Sequence, residues 1–184
     1  LDEMGNAVSL TTTLNTGYGS KVVVGGAGFF FNNEMDDLSS KPGTPNYFGL
    51  IGAEANSIAP GKRPLSSMTP TILIKNGRVK MILGSPGGSK IITAVLQVIL
   101  DVVDYSMTAE EAVSSCRFHH QWLPDHILSE EGCFSKVQNE SLLRLGHQLK
   151  ERTAYGRVEA ILIHENGVIE IAADPRGDDW ASGY

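Results

Sequence analysis

Two short segments carry residue types that can hold an anion and steady a developing negative charge. KRPLSSM, at residues 62–68, sets two hydroxyls, Ser66 and Ser67, behind a basic dipeptide and a stiffening proline, and hydroxyls donate readily to a carboxylate. GSPGGSK, at residues 84–90, stands where a strand ends and a helix begins. There Gly87 and Gly88 offer backbone N–H groups that have no intrahelical partner and the helix dipole behind them. Such donors suit an oxyanion, and glycine lets a substrate approach the main chain. A tight strand-to-helix turn needs the same glycines, and paired serines also serve as plain turn residues.

The competing motifs fail on spacing. In a phosphate-binding P-loop the lysine follows a glycine and precedes Ser or Thr, whereas Lys90 lies between Ser89 and Ile91. The glycine spacing is also wrong for a dinucleotide fold, and neither serine sits in a GxSxG elbow. A third cluster, Glu34 with Asp36 and Asp37, could grip an ammonium group through charge-assisted hydrogen bonds, or form a solvated acidic loop. It lacks the calcium-loop pattern. His119 and His120 are consecutive and point to opposite sides of an extended segment, so they do not share a metal; with Trp122 they read as structural.

These residues need positioning elements. Alternation from Ala7 to Asn15 predicts a strand with Val8, Leu10, Thr12 and Leu14 on one face and Ser9, Thr11, Thr13 and Asn15 on the other, entered from a turn at Met4, Gly5 and Asn6. Whatever precedes Leu1 is expected to pair with it. A glycine-punctuated apolar run at 25–31 leads into the acidic cluster, and a Ser/Pro/Gly/Asn loop at 39–62 is long enough to be functional. Hairpins are predicted around Asn76–Gly77 and Asn166–Gly167. Between them, Ser89 is expected to cap a deeply buried helix from Lys90 to about Tyr105, including Ile92, Leu96 and Ile99. Thr108 and Glu111 form a capping box for a second helix, and a third runs from about Lys136 to Leu145 before Gly146. Strands, then helices, then strands is an α+β pattern with an antiparallel sheet.

At 184 residues and 41% hydrophobic, the chain can build one domain over 1–184 with a substantial core. Its net charge of -6 argues against nucleic acid as a partner. No apolar run approaches the roughly eighteen residues of a membrane span. The two cysteines, Cys116 and Cys133, match no metal motif; they could pair in an oxidising compartment, but nothing in their spacing forces a bridge, and free, buried thiols are expected.

Six segments in order resemble one family. GNAVSLTTTLN at 5–15, NNEMDD at 32–37, RPLSSMTPT at 63–71, GSPGGS at 84–89, RFHHQWLPD at 117–125 and ADPR at 173–176 are similar to the small subunit of bacterial gamma-glutamyltransferases. These are also called glutathione hydrolases and belong to the N-terminal-nucleophile hydrolases. The resemblance implies a four-layer αββα sandwich completed by a large subunit from the same self-cleaving precursor, forming a heterodimer that has no metal or cofactor. It implies a chain that does not fold stably alone, and a periplasmic or secreted location.

The resemblance further implies attack by an N-terminal threonine on the gamma-glutamyl amide of glutathione and related compounds, with transfer to water or to an amino acid or peptide. That threonine falls about half a dozen residues before the start of the match, outside the sequence shown. Thr13 matches the residue that holds and activates it. Asn15, Glu34 and Asp37 match binders of the substrate's alpha-amino and alpha-carboxylate end, Ser66 and Ser67 the carboxylate-binding hydroxyls, and Gly87 and Gly88 the oxyanion hole. Many bacterial members carry a tyrosine in the lid over the pocket; here Phe48 matches it and Tyr47 precedes it, so a lid hydrogen bond is lost. The alternatives are a cephalosporin or glutaryl acylase of the same family, disfavoured by the unpaired carboxylate it would leave at Asp37, or a catalytically dead scaffold subunit.

Overall fold

Asn76 and Gly77 both take positive φ, 53° and 75°, and this mirror-image turn suits the twist of the strands it joins. Those strands are β1 (Thr71–Lys75) and β2 (Arg78–Gly84), and β2 pairs with β6 (Glu159–Ile163), which turns back into β7 (Ile169–Ala172). The result is an antiparallel sheet in the order β1-β2-β6-β7. Helices α1 (Ile91–Val103) and α2 (Ala109–Ser114) lie between the two hairpins in sequence. They cover one sheet face, burying Met81, Leu83, Ala160, Leu162 and Ala172 against Val95, Val98 and Val113. The α+β architecture and both hairpin turns follow the sequence pattern.

The computed structural model describes residues 1–183. They form two units, one of Leu1–Thr11 with the chain from Met68 onward, the other Thr12–Ser67. In the first unit a smaller sheet sets β3 (Phe118–His119) antiparallel to β4 (Ile127–Glu130), which runs parallel to β5 (Leu149–Arg152) by way of α3 (Lys136–Arg144). The Thr108–Glu111 capping box is present as predicted, and Gly146 with φ 93° follows the end of α3.

Four expectations need correction. Residues 7–15 form no strand: the Ser9 hydroxyl donates to the Leu83 carbonyl and accepts from the Thr71 N–H, so a side chain replaces the backbone ladder. The hydroxyl-bearing side therefore faces the sheet, while Val8 and Leu10 are 75% and 79% exposed. Ser89 is not the cap of α1; the chain enters through a short 3₁₀ turn, Gly88–Lys90, and the Ser89 hydroxyl is buried without a partner among the described residues. Burial of α1 is one-sided, with Ile92 60% and Leu96 50% exposed opposite the core stripe. Finally, Cys116 and Cys133 are joined in a disulfide. Antiparallel pairing places Phe118 opposite Ser129, which draws the chain flanking both strands together and leaves the two Cα atoms 5.4 Å apart.

The other sheet face is a row of isoleucines. Register sets Ile72, Ile82, Ile161 and Ile171 side by side across all four strands, and the edge members Ile72 and Ile171 remain 39% and 38% exposed. An apolar row crossing a whole sheet is the pattern of a face built to be covered.

Candidate active site

The unit Thr12–Ser67 contains little regular structure, and side-chain hydrogen bonds fix its shape. Thr13 Oγ1 accepts from the Asn15 N–H at 2.8 Å, helping to hold Asn15 at a positive φ of 78°. From there the Asn15 amide donates to the Asn33 carbonyl at 3.1 Å, and Asn33 returns its N–H to the Leu14 carbonyl. Thr13 and Asn15 are thereby tied to the residue just before Glu34.

Glu34 opens a single 3₁₀ turn that ends at Asp37, so the two carboxylates three residues apart share one side of the turn. Asp37 is buried, and its Oδ2 accepts from the Ser67 hydroxyl at 2.7 Å. Burial and the neighbouring Asp37 carboxylate push the Glu34 carboxyl above its ordinary range. Among the described residues Glu34 Oε1 has no hydrogen-bond partner, and no Lys, Arg or His forms an ion pair with either carboxylate.

Asn56 sets the serine segment relative to this turn. Its side-chain amide donates to the Asp37 carbonyl at 2.7 Å and its Oδ1 accepts from the Leu65 N–H at 3.2 Å, one residue before Ser66. Sequence reasoning passed over Asn56; its only signal was a hydrogen-bonding side chain within the long loop. Ser66 is exposed and Ser67 half-buried.

The loop holding Tyr47 and Phe48 is a small closed arch. Asn46 Oδ1 accepts from the N–H groups of Phe48 and Leu50, and Pro45 bridges to Ile51. The Tyr47 and Phe48 rings meet edge to face at 5.2 Å. A cavity of about 180 Å3 separates this arch, at Thr44, Asn46 and Leu50, from Asp37, Leu65 and Ser67.

Gly87 and Gly88 lie in the other unit. Both take positive φ, 142° and 61°, which a side chain would oppose. They open the 3₁₀ turn Gly88–Lys90 that continues into the 13-residue α1; the Ile91 N–H already donates to the Gly88 carbonyl, so the N–H groups left outside the helical ladder are those at the start of the turn. A Cβ on Gly87 would lie 3.6 Å from the Gly156 Cα, so the turn rests against the chain entering β6.

A buried ionic network holds that chain, and sequence reasoning missed it, although its members stand in the RFHHQWLPD and ADPR segments. Arg117 donates to the carbonyls of Val113 and Tyr155 and to Asp174. Arg176 grips both oxygens of Glu130, at 2.7 and 2.6 Å, and also reaches Asp174. The two guanidiniums thus serve the open carbonyl end of α2. Burial opposes ionisation of Asp174, but the N–H groups of Val158 and Arg176 and the Arg117 guanidinium outweigh it and hold the carboxyl below its usual range. His119 is buried between Thr93 and Gln121, as a structural histidine should be, whereas Trp122 is 74% exposed.

Comparison with known proteins adds an independent line. A family model described as gamma-glutamyltranspeptidase matches residues 1–184. The glutathione hydrolase proenzyme of Escherichia coli (strain K12) is 46% identical over 185 residues, covering 100% of this chain and 32% of the relative. The chain thus spans about a third of the length of the curated relatives it matches. The Helicobacter pylori gamma-glutamyltranspeptidase T380A mutant superposes with a TM-score of 0.93 at 50% identity, covering 96% of this chain and 97% of that one. A cephalosporin acylase from Bacillus halodurans is more distant, at 26% identity and a TM-score of 0.77, over 90% of this chain and 30% of that one.

Proposed function

The chain belongs to the gamma-glutamyltranspeptidase family, and from that premise we propose that it is the small, catalytic part of a gamma-glutamyltransferase that cleaves glutathione and related gamma-glutamyl amides. The observation that carries this reading is the Glu34–Asp37 pair, a partly buried acidic site without a cation among the described residues. Buried carboxylates without a counter-ion are costly, and a substrate alpha-ammonium would offset that cost.

Each residue then has one task. Asp37, with Glu34 and Asn15, receives the glutamyl alpha-amino end, and Ser66 and Ser67 receive the alpha-carboxylate. The nucleophile is a threonine hydroxyl preceding Leu1, whose proton passes to that threonine's own amino group as oxygen bonds to the gamma-carbonyl carbon. Thr13 orients it, and the N–H groups of Gly87 and Gly88 receive the oxyanion. The carbon–nitrogen bond breaks, the amine leaves with the proton, and water or an amino acid then attacks the gamma-glutamyl ester.

A large subunit is the proposed partner. The isoleucine row and the outward Val8 and Leu10 supply an apolar surface for it, and the relatives are about three times as long as this chain. The Cys116–Cys133 bond supports a periplasmic or secreted location, since such bonds persist in oxidising compartments.

Rates of hydrolysis of gamma-glutamyl and glutaryl anilides by the full-length protein test the reading. A strong preference for the gamma-glutamyl compound is expected, because only it brings the ammonium. A preference for glutaryl would replace the transferase with the acylase.

A further inference from the structure

We propose that Asp36, the residue beside the substrate-gripping Asp37, is a positioning residue that tethers the arch over the cavity and so couples the arch to the binding turn. This rests on the reading that Asp37 binds substrate. Asp36 Oδ2 accepts from the Tyr47 N–H at 3.0 Å, and the Asp36 carbonyl lies 3.5 Å from the Asn46 amide nitrogen. These contacts bind the arch to the 3₁₀ turn Glu34–Asp37. Within the arch, Asn46 Oδ1 accepts from the Phe48 and Leu50 N–H groups, and the Gly43 N–H donates to the Gly52 carbonyl. These bonds shape the arch, and the Asp36 contacts join it to the turn.

Asp36 and Asp37 are adjacent on a turn too short to let one move without the other. Asp37 is anchored from below by Ser67 and Asn56, while Asp36 faces the arch and is only half-buried. Drawing Asp37 toward an ammonium group therefore carries Asp36, and with it Tyr47 and Phe48 at the arch tip. Cavity and arch share this wall, since Asp36, Asp37 and Asn46 all line the same 180 Å3 space.

The test compares Asp36→Ala and Asp36→Asn with the parent in the full-length protein, by hydrogen exchange over residues 42–50 and by steady-state kinetics on a gamma-glutamyl anilide. Asp36→Ala removes the acceptor. It should speed exchange at the Tyr47 amide about tenfold and raise KM about tenfold with kcat changed less than about twofold, as expected for one hydrogen bond to a charged acceptor. Asp36→Asn keeps an amide oxygen for the Tyr47 N–H and should recover most of both parent values.

Unchanged exchange in Asp36→Ala overturns the tether. Faster exchange with unchanged KM overturns its role in substrate binding. Equal impairment by Asn and Ala overturns the hydrogen bond as the cause, leaving charge. A parent protein inactive on the anilide would instead defeat the proposed function, while exchange still reads the tether by itself.

Discussion

Arg117 and Asp174 meet at 2.5 Å with both side chains shut off from solvent, 1% and 0% exposed. They are 57 residues apart in sequence. Their contact joins the chain after α2 to the tail after β7, and the same Asp174 oxygen accepts the Val158 N–H at the start of β6. The segment supporting the Gly87 turn is therefore held by two buried carboxylates, Asp174 at the Val158 N–H and Glu130 at the Tyr155 N–H.

Asp174→Asn keeps the shape but leaves the Arg117 guanidinium without its buried counter-charge. It should destabilise the full-length protein by about 3–5 kcal/mol, the cost of breaking a buried pair. Asp178→Asn is the contrast, because Asp178 is fully exposed in its pairing with Arg157. Urea unfolding of both variants checks the prediction; near-equal midpoints would mean that the buried pair contributes no more than a surface one.

The Cys116–Cys133 bond closes a loop of 17 residues in sequence separation. Chain-entropy arguments give about 3 kcal/mol for a loop of that size. The double variant Cys116→Ser with Cys133→Ser should lower the urea midpoint accordingly and abolish any effect of a reducing agent at this site. An intact-mass measurement that finds two free thiols in the full-length protein purified without reductant would contradict the bond itself.

Much of this was legible in the sequence where the determinants are local. Asn-Gly turns, the Thr108–Glu111 box and the stop at Gly146 depend on a few neighbouring residues, and each formed as read. What failed depends on partners far along the chain. The alternation at 7–15 was real, but sequence alone could not say that Ser9 would satisfy Leu83 and Thr71 and so turn the apolar face outward. Arg117 and Asp174 became a clamp only through tertiary contact, and two cysteines 17 residues apart became neighbours only through the pairing of β3 with β4. In the candidate site, residue types marked the serines and the acidic cluster Glu34, Asp36 and Asp37, but not that Asp36 would accept from the Tyr47 N–H or that Asn56 would bond the Asp37 carbonyl and the Leu65 N–H, contacts to backbone groups that no motif records.

Glu159 gives the pH dependence. Burial first, then the Asp179 carboxylate, pushes its carboxyl up to about 7. A carboxyl raised in the folded state contributes stability that is complete below its unfolded value of about 4.5 and is lost as pH rises through about 7. Asp174 and Glu130 are held low, so their contribution is present above the unfolded carboxylate range and is lost as the solution becomes strongly acidic. Glu159→Gln should therefore match the parent near pH 5 and exceed it at pH 8 by about 1–2 kcal/mol, a figure discounted because Glu159 is only partly buried. Thermal unfolding at the two pH values measures this, and an equal difference at both would remove the titration of Glu159 as the cause.

Ser67 poses a question of proton supply that kinetics can answer. A hydroxyl has one proton to donate, and in this structure it goes to Asp37 at 2.7 Å. If Ser67 is also to donate to a substrate carboxylate, Asp37 must give it up. The arriving alpha-ammonium makes that exchange possible, because its own N–H groups replace the hydroxyl at the Asp37 oxygens. Ser67→Ala should then raise KM about tenfold for a gamma-glutamyl anilide but hardly at all for the 4-aminobutyryl anilide, which keeps the ammonium and lacks the carboxylate. Equal penalties on the two substrates would show that Ser67 works solely by steadying Asp37, and the carboxylate would then belong to Ser66 alone.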